Sequence, residues 1–167
     1  QKTAYEIPKR DWSSDVCSSD LDVFAALRVS DEDLLDLQRC RVGSCQVKVA
    51  ASALERFQKE IDWSTPDART RATSWVRQLA LDYVASYLRG GDAELAVYRD
   101  QSRPTFVAQE FREMVDAMPE LTTYMPNIRQ YLLGFPKVSM PDVTSFMYWQ
   151  EAEFGLKPVI RINHVVI

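Results

Sequence analysis

Histidine and cysteine are scarce in this chain of 167 residues, which has one His and three Cys. That scarcity excludes several chemistries. A structural zinc site needs about four ligands, and the sequence holds neither a second cysteine pair nor a histidine cluster to supply them. The Cys-x-x-Cys spacing of redox motifs and the spacing of covalent haem attachment are also missing, so no cofactor and no metal are expected. No apolar run approaches the roughly 20 residues of a spanning helix, so no membrane span is expected. Charge of one sign is not concentrated either. The formal net charge is −4, with Lys and Arg dispersed among Asp and Glu, which argues against a nucleic-acid partner. Internal repeats and catalytic motifs are likewise lacking. What is present is ordinary for a globular protein, with 46% hydrophobic and 26% charged residues.

The first twenty-one residues stand apart. Asp11 to Leu21, DWSSDVCSSDL, has no helical or strand period and places Ser, Asp and Cys where a core needs apolar groups. Its back-translation resembles the read-primer part of a common short-read sequencing-library adapter. Residues Gln1 to Ile7, QKTAYEI, resemble the flow-cell end of the same adapter, with Pro8 to Arg10 in the place of a sample index. Residues 1–21 are therefore expected to be non-native and disordered. Without them the charge becomes −3, and Cys17 drops out to leave the pair Cys40 and Cys45. The chain stops within the apolar run His164-Val165-Val166-Ile167. Residues 22–167 are thus expected to form one mostly helical domain, truncated at its C-terminus.

Helix signals dominate that region. Ser30 can cap a helix that opens with Asp31, Glu32 and Asp33 and ends near Cys40. Gln46 to Val49 can run briefly extended. Ala53, Leu54, Phe57 and Ile61 define one face of a second helix. Ser64-Thr65-Pro66-Asp67 supplies a cap and a first-turn proline for a third, striped by Ala72, Trp75, Val76, Leu79, Tyr83 and Tyr87 and closed by Gly90-Gly91. Asp92 restarts a short helix through Tyr98, and Pro104 opens another facing inward through Val107, Phe111, Met114, Val115 and Met118. Further prolines divide the rest into helical pieces, one carrying Ile128, Tyr131 and Leu132, the next Val143, Phe146, Met147 and Trp149. From Pro158 the period changes to two, with Ile160, Ile162, His164 and Val166 on one face. This strand needs a partner, either the stretch near Val47 or a sheet beyond Ile167. The expected class is α+β, predominantly helical, with a C-terminal strand of a truncated sheet.

Four features are candidates for function. Four residues separate Cys40 from Cys45, and Gly43 lets that chain fold so that the two reach disulfide range in an oxidising compartment. The alternative is two reduced, buried thiols. His164 lies on the apolar strand face, where it is either a catalytic acid or base facing a pocket, or a hydrogen-bonded structural residue. Tyr83, Tyr87, Tyr98, Phe106, Phe111, Tyr124, Tyr131, Phe135, Phe146, Tyr148, Trp149 and Phe154 either line an apolar pocket or form the core. Arg99 and Arg103 flank a loop that binds a phosphate or is merely solvated.

The stretches CRVGSCQVKV, DWSTPDA, YLRGGDAELAVYRD, MPNIRQYL, FMYWQEAEFGLKPVI and NHVVI resemble a bacterial family of exported proteins of unknown function. Members read as Cys-x-x-Gly-x-Cys followed by a Val-Lys pair, and Cys40, Gly43, Cys45, Val47 and Lys48 fit. Gln46 stands where the pattern has Asp. The resemblance brings no activity and no catalytic residues. It implies export, a periplasmic or otherwise extracytoplasmic location, and with it the disulfide. Two functional classes follow. The first is a non-enzymatic module binding an apolar small ligand or a protein partner, with a recess free of convergent titratable groups. The alternative is the N-terminal part of an exported hydrolase, with a carboxylate or hydroxyl within reach of His164.

Overall fold

The computed structural model describes residues 4–7, 23–154 and 157–167. The segment Asp11 to Leu21, with Cys17, lies outside the described residues. The first helix, α1 (Asp31–Arg39), starts as its sequence dictates. The Ser30 hydroxyl accepts from the Asp33 backbone N–H, and three acids occupy the positive end of the dipole. Helix α2 (Ala51–Glu60) buries Ala53, Leu54 and Phe57, its expected face. Gln58 on α2 donates its amide to the carbonyls of Leu37 and Cys40, satisfying groups the end of α1 leaves open.

Helix α3 (Ala68–Gly90) is the longest element. Its start differs from expectation, because no side chain caps it. Asp62 builds the preceding turn instead, accepting from the backbone N–H and the hydroxyl of Ser64. The other end follows the sequence. Gly91, which caps the helix, takes a positive φ of 63°, a backbone region that glycine enters without the penalty a Cβ brings. A 3-10 turn over Gly91–Glu94 follows, then two short strands, β2 (Val97–Tyr98) and β3 (Thr105–Phe106), which pair antiparallel. These replace the helix expected through Tyr98. Helices α4 (Val107–Asp116), α5 (Pro119–Tyr124) and α6 (Ile128–Gly134) complete the helical part. On α4 Val115 is buried, but Met114 points outward.

The class is α+β with helices dominant, and a C-terminal strand as expected, yet the partner of that strand is neither of those foreseen. Strand β5 (Lys157–Val166) pairs antiparallel with β4 (Ser145–Phe154), whose residues were expected to be helical. The reason lies in the two faces of β4. Phe146 and Tyr148 occupy one, Met147 and Trp149 the other, so the strand lacks polar alternation and its apolar positions imitate a helical spacing. Aromatic residues favour the pleated strand, and ten register pairs with β5 settle the matter. A third strand, β1 (Ala4–Ile7), pairs with Met147–Gln150 and gives the order β1-β4-β5. The expectation of disorder for residues 1–21 thus does not describe Ala4–Ile7. Tyr5 and Ile7 alternate with exposed Ala4 and Glu6, and Tyr5 stacks on Trp149 with centroids 4.6 Å apart.

Two apolar clusters hold these parts together. Around Trp149 gather Ile7, Phe24, Leu27, Leu81, Val84, Ala85 and Met147, with the indole N–H donating to the Val23 carbonyl at 2.8 Å. The second gathers Leu34, Leu37, Leu54, Phe57, Ile61 and Ala72 around Cys40 and Cys45. Helix α3 serves both, its first turns facing the cysteines and its last turns the sheet. Val76 packs against each cluster.

Candidate functional site

Past the middle of α3 the stripe Tyr83, Val84 and Tyr87 faces a gap. Leu95 after the 3-10 turn, Val107 and Phe111 of α4, Met147 of β4, and Ile162 and His164 of β5 close the other sides. The result is a cleft of about 210 Å³ with mostly apolar walls. Period-two spacing puts His164 and Ile162 on the sheet face that meets α3, while helical spacing puts Tyr83 and Tyr87 on the facing stripe.

Four titratable groups converge on this cleft. The Tyr87 hydroxyl and His164 Nδ1 are 2.9 Å apart. When the phenol donates, the neutral imidazole carries its proton on Nε2. Phe135 stacks on Tyr87 with centroids 5.2 Å apart and packs against the His164 ring at 4.5 Å. Burial, with the negative charge of Asp92 nearby, pushes the Tyr87 hydroxyl far above the ordinary tyrosine range and keeps it protonated. Tyr83 is also raised by burial, against the opposing effect of a backbone hydrogen bond at Ala96.

Asp92 is the fourth group. It is 8% exposed, and neither carboxylate oxygen has a hydrogen-bond partner among the described residues. Burial raises its pKa above the usual carboxylate range, and the positive charge of Arg112 on α4 only partly opposes this. The cleft therefore differs from the recess without titratable groups expected of a purely apolar binder. It also provides the hydroxyl within reach of His164 that the hydrolase alternative required.

The other candidates separate. Cys40 and Cys45 lie at disulfide distance, with alpha carbons 4.7 Å apart, inside their own cluster and away from the cleft. Their loop docks on Arg99-Asp100, where Gly43 N–H donates to the Arg99 carbonyl and Cys45 N–H to that of Asp100. Arg99 and Arg103 themselves are exposed. Of the aromatics, Tyr83, Tyr87 and Phe111 line the cleft, and Phe135 backs it. Trp149 is fully buried core, and Tyr124 is 83% exposed. The side chain of Phe154 lies outside the described residues. No group of three or more His, Cys, Asp or Glu able to hold a metal occurs among the described residues, and none of their helices is long and apolar enough to cross a membrane.

A shallower depression lies between α2 and α3, lined by Glu60, Ile61, Thr70, Arg71, Ser74 and Trp75. Two of its polar groups pair with each other. The Trp75 indole donates to Glu60 Oε2 at 2.7 Å, which lowers the pKa of Glu60, and the Arg56 guanidinium lies over the Trp75 ring. No known protein family, curated protein or solved structure matches this chain.

Proposed function

We propose that this chain is a non-enzymatic, extracytoplasmic binding module whose site is the cleft between α3, α4 and the β4–β5 sheet. One observation carries the reading, the combination in one recess of apolar walls with a few inward-facing polar groups, the usual make-up of a small-ligand site. The walls of Val84, Phe111, Met147 and Ile162 bind by burial, and Tyr87, Asp92 and His164 orient. The Cys40–Cys45 pair at disulfide distance supports a location outside the reducing cytoplasm, as does the resemblance to exported bacterial proteins. The experiment is a titration with benzyl alcohol followed by NMR of the Met147 and Ile162 methyl groups. Saturable shifts confined to the lining residues support the reading, and unperturbed or scattered signals overturn it.

The hydrolase alternative has the Tyr87–His164 contact in its favour. Against it stands the absence of a serine or cysteine among the residues lining the cleft, with a phenol that burial holds protonated in their place. Ester hydrolysis that disappears in His164→Asn would favour it. No hydrolysis above background removes it.

A further inference from the structure

Asp92 is an unusual wall for an apolar recess. It follows Gly91, whose backbone at positive φ packs so closely on the Phe135 carbonyl that no Cβ fits between them. That packing fixes the backbone from which the Asp92 side chain extends. Arg112 acts on the carboxylate through space without forming an ion pair with it. A buried carboxylate without hydrogen bonds or a counter-ion is costly, and such groups are found paired. A ligand bearing a cationic donor would supply both missing elements at once. A metal ion is a poor match, because no cluster of three ligating side chains exists among the described residues to complete its coordination.

The surrounding walls define the rest of the ligand. Tyr83, Tyr87 and Phe111 present aromatic surface, and Met147 supplies a soft thioether. The volume of about 210 Å³ lies below the roughly 300–1,000 Å³ of sites for drug-sized ligands. It suits a molecule of one ring or a short aliphatic chain.

We propose that Asp92 anchors a small protonated amine in this cleft, its ammonium group hydrogen-bonded to the carboxylate and its hydrocarbon part against Tyr83, Phe111 and Met147. The proposal rests on the binding function given above and names the ligand class. The test uses the full chain and two probes of matched shape, benzylamine and benzyl alcohol, each titrated into the native protein and into Asp92→Asn at neutral pH. Charge-assisted hydrogen bonding predicts that benzylamine binds the native protein about tenfold or more tightly than benzyl alcohol. Asp92→Asn removes the preference, so that the two probes bind the variant about equally. Equal affinities of the two probes for the native protein overturn the amine proposal and leave the binding reading standing. So does an Asn variant that keeps the preference. Failure of both probes to bind overturns both. Should Asp92→Asn not fold, the comparison of the two probes on the native protein still decides.

Discussion

Tyr87 and His164 are 77 positions apart in sequence, yet the phenol of one and the imidazole of the other meet at 2.9 Å where α3 lies against β5. The contact fastens the helical part to the sheet by a polar link inside largely apolar packing. Tyr87→Phe keeps the ring that stacks on Phe135 and removes only the hydroxyl. It should lower stability by about 1 kcal/mol, the usual net value of such a bond, as read from urea denaturation. A variant as stable as the native chain would show the contact to be energetically neutral.

Asp92 makes stability depend on pH in an unusual direction. Its folded-state pKa is raised, so the folded protein holds this proton more tightly than the unfolded chain does. The resulting stabilisation is fully present below the ordinary Asp value of 3.8 and is lost as pH rises through the higher folded value. Asp92→Asn should therefore be more stable than the native protein at neutral pH, and the difference should shrink on acidification towards 3.8. Melting temperatures of both proteins across that range check it. The same substitution is expected to weaken amine binding, so the site trades stability for a ligand.

Two glycines with positive φ should respond differently to alanine. Gly43, at 86°, has open space around a would-be Cβ, the nearest atom being 4.0 Å away. Gly43→Ala should cost about 1 kcal/mol from the backbone alone. Gly91→Ala adds overlap with the Phe135 carbonyl and should cost about 3 kcal/mol or prevent folding. Chemical denaturation of the two variants gives the order directly.

The Cys40–Cys45 loop is short, with a sequence separation of 5. A cross-link between the two cysteines would restrict the unfolded chain modestly. The double variant Cys40→Ser with Cys45→Ser should lose about 2 kcal/mol. Denaturation of the native protein with and without reductant, with free thiols counted at each point, makes the same measurement without mutation. Identical midpoints in the two conditions would argue that the pair contributes nothing.

Much of the helical scaffold was legible because its signals are local. Ser30 with its following acids, the Ala53–Phe57 face and Gly90-Gly91 each act within a turn or two of their own position. Strand β4 was not legible, because both its faces carry large apolar residues and only pairing with β5 distinguishes it from a helix. The site shows the same division. His164 attracted notice as a lone polar group on an apolar strand face, and the structure places it in the cleft. Tyr87 was part of a stripe with the ordinary appearance of core. Asp92 looked like a favourable start to a helix. Its burial depends on α4 and the 134–136 segment closing around it, and nothing in the neighbouring residues announces that.

Val76 touches both apolar clusters, the one around Trp149 and the one around the cysteines. Neither half of the chain therefore ends where the other begins. Heating or denaturant should melt the two as one unit, and a protease cutting between them would release two unstable pieces instead of a surviving fragment. A ligand seated in the cleft would accordingly protect the distant cysteine loop against opening.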